Sequence, residues 1–483
     1  MHKTYLGVRL RTLREQQGMT QLALAERLKL SPSYLNQIEN NQRPLTVPVL
    51  LRLQATFGVD LQFFSEDEQA RLIADLREVS TEIAGVGAVP VAELQALAQQ
   101  LPSMSRVLLT LHQRKRAAEE RLSALAAGAD GDHFAGGAPL QPYEEVREFF
   151  YARHQHLALL DEQAESLSER LHADHADAGV PGVTELAAAL ERRLEKSHRV
   201  RTVVLAPGGA DSTVVRVFDP AARTLALAAG LDPGQRAFQL AIQLAFLEAG
   251  EAIESFTAGA AFTTREARAL ARIGFANHFA GCLLLPYRHF QAAAETLRYD
   301  IDLLSERFGV SFETICHRLS TMQRPDARAI PFFFVRVDRA GNVSKRQSSA
   351  DFHFSRTGGT CPLWNVYEAF AQPGKVLTQL SRMPDGRTYL WVARTVTHER
   401  GGFGAHRRSF AVALGCDVKH AERLVYAKGI DLGNPEAATP IGAGCKVCSR
   451  TDCPQRAFPL LGRDLAIDEN VRQFAPFADA RES

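Results

Sequence analysis

LALAERLKLSPSYLNQIENNQRP, residues 22–44, places its apolar side chains in two short helical runs separated by a serine–proline stop. Leu22, Leu24, Ala25 and Leu28 form the first run and Tyr34, Leu35 and Ile38 the second, at the spacing of one helix face. Thr20 caps the first, predicting a helix over 20–28. Ser31-Pro32 supplies an N-cap and a proline at the first helical position, predicting a second helix over 32–39. Working outward, Leu6, Leu10 and Leu13 predict an earlier helix ended by Gly18. Val49, Leu50, Leu53 and Phe57 predict a later one with Pro48 near its start. Because Tyr34, Leu35 and Ile38 are committed to packing, Ser33, Asn36 and Gln37 are left facing outward, with side chains suited to the base edges of a major groove.

Residues 1–65 carry eight Lys/Arg against four acids, a basic excess hidden in a whole-chain charge of +1. With that charge, the helix–turn–helix order of 22–44 resembles the XRE (Cro/C1-type) helix-turn-helix class. The resemblance implies double-stranded operator DNA as a partner and Gln21, Ser31, Ser33, Asn36, Gln37 and Arg43 as the contacting set. Gln21 and Arg43 would hold phosphates. A second segment of the same shape, IDLLSERFGVSFETICHRLS at 301–320, has Phe312, Glu313 and His317 at its outward positions. An acidic, aromatic tip suits a phosphate-rich groove poorly, and we read this segment as structural packing.

At 483 residues, 46% hydrophobic and 23% charged, the chain has the length of several domains with cores of their own. The expected fold is multidomain, α-rich α+β, divided as 1–65 (helix-turn-helix), 66–139 (helical connector and linker), 140–325 (middle domain) and 326–483 (C-terminal domain). No apolar run reaches the length of a membrane span and no signal peptide opens the sequence. Seven cysteines, clustered toward one end, fit a reducing cytoplasm better than a disulfide framework. Residues 66–126 read as helices interrupted at Pro90 and Pro102. The stripe of Val107, Leu108, Leu111, Leu122 and Leu125 serves either homodimerisation or packing within one chain. Residues 127–138 have a linker's composition, and a further helical block begins at PYEEVREFFY.

Between 184 and 325 a helix, three short strands (202–205, 213–218, 224–227) and long helices from Arg236 and Thr264 resemble the ImmA/IrrE-type metallopeptidase domain. That family carries HExxH, whereas residues 238–246 here read FQLAIQLAF. Ile242 and Phe246 fall on the zinc histidines, Gln243 on the catalytic glutamate and Phe275 on the acidic third ligand. A zinc peptidase needs imidazoles at i and i+4 and a carboxylate to take the proton of water. We therefore expect the fold without the enzyme and assign no catalytic residue. His278 and Glu248 are read as solvent or core contacts. The rival readings are a peptidase acting on a repressor and a phage-type regulator with no small ligand.

IPFFFVRVDRAGNVSKRQSS and VLTQLSRMPDGRTYLWVARTV predict hairpins around residues 338–342 and 384–386, in a PAS- or GAF-like antiparallel sheet. Arg336, Arg339, Lys345, Arg346 and Arg356 cluster near the first hairpin, as a solvated strand face or as phosphate contacts. GCKVCSRTDCP brings Cys445, Cys448 and Cys453 together as ligands of an iron–sulfur cluster, ligands of zinc, or a redox dithiol. With the helix-turn-helix, the altered peptidase-like middle and the phrases GGTCPLWNVYEAF and CPQRAF, nearly the whole chain resembles the short-chain fatty-acyl transcriptional regulator family. That resemblance implies sensing of a short-chain acyl-CoA in propionate or glyoxylate metabolism and a 4Fe-4S cluster, with zinc as the alternative. It also supplies Cys361 as the fourth ligand. Cys282, Cys316 and Cys416 lie in apolar patterns and read as buried small hydrophobes.

Overall fold

A computed structural model of the chain describes residues 7–16, 19–40, 42–43, 45–57, 66–82, 89–126, 142–153, 155–173, 182–205, 214–260, 262–348, 361–398, 407–450 and 453–459. Gly18, the linker 127–138 and Arg356 lie outside them, as do the side chains of Leu122 and Leu125. The chain divides into two compact units: residues 139–350 with 359–442, and the remainder.

In the second of these units the helices are α1 (Gly7–Gln16), α2 (Gln21–Arg27), α3 (Pro32–Glu39), α4 (Val47–Phe57), α5 (Glu66–Glu82), α6 (Val91–Gln100) and α7 (Pro102–Ala126). The caps act as expected. Thr20 accepts from the Ala23 amide and Ser31 from the Tyr34 amide, each satisfying a donor the helix leaves open. Leu10, Leu13, Leu24, Ala25, Leu28, Leu35, Ile38, Val49 and Leu53 close one small core over α1–α4. Leu72, Leu76, Leu94 and Ala98, with Leu109, make another where α5, α6 and α7 meet.

The other unit opens with α8 (Pro142–Tyr151), α9 (Ala158–Ala173) and α10 (Val183–His198). Strands β1 (Arg201–Leu205), β2 (Arg216–Asp219) and β3 (Thr224–Ala228) follow. They pair in the order β1-β3-β2, β1 parallel and β2 antiparallel to β3. Next come α11 (Pro233–Glu248), α12 (Gly250–Ala258), α13 (Arg265–Leu284), α14 (Tyr287–Thr296), α15 (Ile301–Phe308) and α16 (Phe312–Leu319). The C-terminal sheet contains β4 (Phe333–Val337), β5 (Val343–Ser348), β6 (Leu377–Arg382), β7 (Thr388–His398), β8 (Arg408–Asp417) and β9 (Thr439–Pro440). A short α17 (Asn365–Glu368) lies between β5 and β6. Its order is β5-β4-β8-β7-β6-β9, antiparallel except for β6 with β9. Gly415 faces Trp391 across the β7–β8 pair, where any Cβ would run into the indole.

No break in packing falls at the boundary expected between residues 325 and 326. One core runs from Phe149 to Leu424, taking in Tyr299, Ile315 and Leu319 from the helices and Phe332, Phe334, Leu390, Val412 and Leu414 from the sheet. Strand β4 is covered on both faces. Phe333 packs on Tyr389 and Trp391 on one side, and Phe334 meets His317 of α16 on the other. Phe312, Glu313 and His317 of the second helix-turn-helix-like segment are thus sheet contacts, in keeping with its reading as structural packing.

Candidate DNA-reading face, ligand cavity and thiol loop

On α3, Leu35 and Ile38 are buried and Tyr34 half-buried, while Ser33 and Asn36 are exposed and Gln37 is half-buried. Gln21 Nε2 donates to Asn36 Oδ1 at 3.2 Å and to Glu39 Oε2 at 3.0 Å, so the start of α2 is fastened to the outward face of α3. Glu39 is buried and receives the Arg14 guanidinium at 2.8 Å, an ion pair from α1 that holds the helix pair from behind. Arg43 is exposed, its guanidinium 5.7 Å from the centre of the Tyr34 ring. Ser31 Oγ is engaged as the cap of α3.

Residues at the peptidase positions form an apolar and cationic locus instead. Ile242 and Gln243 are buried on α11, and Gln243 Oε1 accepts from Arg216 of β2 at 2.7 Å. The Arg216 guanidinium also lies 5.7 Å from the Phe246 ring centre. Phe275 is fully buried, with Phe149, Phe150 and Phe256 ring centres 5.2–5.6 Å away. Glu248 is held by Arg193 at 2.7 Å and His198 at 2.8 Å. None of Ile242, Gln243, Phe246 and Phe275 offers a metal-binding imidazole or carboxylate.

A cavity of about 390 Å³ opens where α8, α13, α16 and β5 meet. Tyr143, Val146 and Phe150 give it an apolar wall, and Arg147, Lys345 and Arg346 bring cations to it. His278, Asn277, His317 and Gln347 add polar groups. Burial pushes the Lys345 ammonium down to about 8, against the pull of Glu313, and the side chain lies 5.6 Å from the Phe334 ring centre. Burial likewise drives His317 well below its usual range, so its ring is neutral at pH 7, and Gln347 contacts its Nε2 at 2.9 Å. Of the basic residues singled out around the first hairpin, Lys345 and Arg346 line this cavity. Arg336 pairs with Glu313 at 2.8 Å and stacks on Phe410, and Arg356 lies outside the described residues.

Cys445 and Cys448 bracket a single 3₁₀ turn, and the Cys448 amide donates to the Cys445 carbonyl at 3.4 Å. Arg456, 5% exposed, donates to the carbonyls of Cys448 at 3.0 Å and Cys445 at 3.4 Å, and also to that of Arg450. One guanidinium therefore curls the thiol loop around itself. Burial pushes the Cys448 thiol up, and the adjacent Cys453 adds to that. Cys361 is buried in the unit of 139–350 and 359–442. Among the described residues no three His, Cys, Asp or Glu side chains are grouped as ligands of one metal ion. Cys282, Cys316 and Cys416 are buried, as expected.

Comparison with known proteins matches residues 10–64 to a helix-turn-helix family, 196–320 to the IrrE N-terminal-like domain, and 321–477 to the C-terminal domain of short-chain fatty acyl coenzyme A regulators. The HTH-type transcriptional regulator RamB of Mycobacterium tuberculosis (strain CDC 1551 / Oshkosh) is 49% identical over 479 residues, 99% of each chain. The chain belongs to the short-chain fatty-acyl regulator family. It is a transcriptional regulator of the type of RamB and of its other relatives. The HTH-type transcriptional regulator PrpR of M. tuberculosis (strain H37Rv) is 47% identical, over 100% of this chain and 97% of that one. A propionyl-CoA carboxylase regulator of Cereibacter sphaeroides is 42% identical over 98% of both. A solved M. tuberculosis transcriptional regulator superposes with a TM-score of 0.66 at 49% identity, covering 70% of this chain and all of its own. In this fatty-acyl regulator the sequence reading missed Tyr143, Arg147 and Phe150, which looked like one more amphipathic helix. It also missed the cavity-lining placement of His278 and His317, for which the sequence carried no signal.

Proposed function

We propose that this regulator binds a short-chain acyl-CoA thioester in the cavity between α8, α13, α16 and β5, and that occupancy changes its affinity for operator DNA. The observation that carries this reading is the cavity itself: a volume in the range of small-molecule sites, with one apolar wall and three cations at its edges. Arg147, Lys345 and Arg346 suit the phosphates of the nucleotide end. Tyr143, Val146 and Phe150 suit the acyl end and its pantetheine arm. Lys345 is only partly protonated near pH 8, so a phosphate beside it draws in a proton on binding. Coupling to DNA requires the ligand to bind two arrangements of the regulator unequally. Calorimetry of the full chain with propionyl-CoA, alongside operator binding, tests the reading. Binding heat, changed operator affinity and a roughly tenfold or greater loss of ligand affinity in Lys345→Gln are expected. No heat and an unchanged operator affinity would remove the ligand from the account.

The DNA-bound form is proposed as a homodimer whose paired half-sites lie one helical turn, or a multiple, apart. Met104, Leu108 and Leu111 on α7 support this: all are exposed, and their steps of four and three residues are those of a coiled-coil seam.

The thiol loop is proposed to hold an iron–sulfur cluster, with zinc as the alternative. Its clustered thiols fit a soft metal centre, and Arg456 holds the loop's backbone in a curl. Cys445, Cys448 and Cys453 are the donors held within one unit, and Cys361 is the fourth by resemblance. Such a centre would make the order of the thiol loop depend on oxidation or metal supply. Anaerobic purification with a visible spectrum and metal analysis decides between the two. Iron and sulfide are expected, and both are lost in Cys448→Ser. One colourless zinc per chain would replace the cluster, and Cys361→Ser reads out the fourth donor.

A further inference from the structure

Strand β8 outruns its neighbour β4 and leaves a notch in the sheet. The β4–β8 register ends at Val337 with Ala411, whereas β8 pairs with β7 from Arg408 onward. Among the described residues, Arg408, Ser409 and Phe410 therefore have a strand partner on the β7 side and none on the other. There the chain turns away through Asp338–Asn342 into β5. A cavity of about 860 Å³ occupies the gap, bounded by residues 338–340, Pro373 and the outer ends of β7 and β8. Its described lining shares no residue with that of the cavity at β5.

Arg339, Arg407 and Arg408 line the notch, and all three are exposed. Arg339 and Arg408 have no carboxylate partner among the described residues, and the Arg339 guanidinium lies 5.8 Å from the Phe370 ring centre. One acid, Asp338, also lines the notch, but its oxygens are committed to its own turn. Oδ1 accepts from the amides of Ala340 at 3.0 Å and Asn342 at 2.9 Å, and Oδ2 accepts from Asn342 Nδ2 at 2.9 Å. Thr397 and Ser409 are cross-strand partners, so their hydroxyls leave the sheet on one face, and both line the notch. Successive residues of an antiparallel strand turn their backbone groups to opposite edges. At least one of Arg408, Ser409 and Phe410 thus presents its N–H on the open side.

We infer that this notch is a second ligand site, taking a small molecule that carries paired phosphates. Guanidinium forks match phosphate oxygens, and hydroxyl and backbone donors complete the set. The volume lies in the range of small-molecule sites and exceeds what an inorganic anion fills, which leaves room for an organic body against Ala340 and Pro373. The inference does not depend on acyl-CoA occupancy of the other cavity.

The test is calorimetric titration of the full chain with inorganic pyrophosphate, ADP and citrate in a phosphate-free buffer. Pyrophosphate and ADP are expected to bind. Arg339→Gln combined with Arg408→Gln should weaken both by roughly tenfold or more, with circular dichroism unchanged because both side chains are exposed. Thr397→Val, which keeps the shape of the strand residue, should weaken both to a smaller extent. Lys345→Gln, in the other cavity, should leave both unchanged. A native chain that binds neither, or equal binding by the native chain and the double variant, overturns the inference. So does a loss in Lys345→Gln alone, which would send these phosphates, and the diphosphate of CoA with them, to the cavity at β5. Binding of citrate in place of pyrophosphate and ADP would make the notch a polycarboxylate site. A fall in operator affinity in the double variant, without binding of either phosphate, would give the arginines to the DNA backbone. Either result also removes the proposal.

Discussion

Asp161 shows how much a single buried charge carries. Burial pushes its carboxyl up, but Arg318 at 2.7 Å, with the Cys282 thiol and the nearby His278 and His156, outweighs that and holds it well below the usual carboxylate range, and Arg324 pairs with it at 3.1 Å. Its folded value is depressed, so its contribution is complete above the unfolded pKa near 4 and drains away as pH falls toward the folded value. The buried histidines His156, His278 and His317 are also depressed by burial and lose stability on acidification, beginning nearer pH 6.5 as the unfolded chain takes up protons. We expect Asp161→Asn to cost about 3–5 kcal/mol at pH 7, because Arg318 would be left buried without its counter-charge. Thermal melts from pH 7 to pH 3 should also show a shallower loss of stability below pH 4 in the variant. An equal slope in both proteins would place the acid sensitivity elsewhere. None of this was legible beforehand: Asp161, Arg318 and Arg324 look like surface charges in the sequence, and only the meeting of α9 with the end of α16 buries them.

The elements themselves were largely readable. Thr20, Ser31 and Pro32 marked α2 and α3 closely because caps act locally, through donors that every helix leaves open. Helix α7 was readable as amphipathic, but whether its stripe faced its own chain stayed open. The structure separates two faces. Leu109 packs into the core shared with α5 and α6, and Ser105 Oγ donates to the Leu101 carbonyl at 3.1 Å. Met104, Leu108 and Leu111 remain 40–56% exposed. Leu108→Glu should therefore leave the fold of α5–α7 intact by circular dichroism, yet weaken self-association in sedimentation and lower operator affinity at low protein concentration. A variant that sediments like the native chain would show that this face is not the dimer seam. Strands β4 and β7 were found by alternation, although β4 departs from strict alternation because a central strand is covered on both faces.

Across the whole molecule, the middle helices and the C-terminal sheet, which match separate family regions at 196–320 and 321–477, share one continuous core from Phe149 to Leu424. Cutting the chain between 325 and 326 would strip Ile315 and Leu319 of the sheet residues Phe332 and Phe334, and β4 of α16. Residues 140–325 made alone should aggregate or melt without a cooperative transition, whereas 139–442 should unfold in a single step. A folded, cooperative 140–325 would show that the middle helices fold without the sheet.

The helix-turn-helix, the absence of HExxH chemistry and the clustered thiols were determined by the sequence alone. Each rests on short-range facts: a cap three residues from its amide, histidines required at i and i+4, sulfurs spaced within one turn. The cavity at β5 and the buried Asp161 pair were decided only by tertiary structure. Tyr143, Gly274, His317 and Lys345 are far apart along the chain, and no local pattern records that burial of their apolar neighbours draws them to one place.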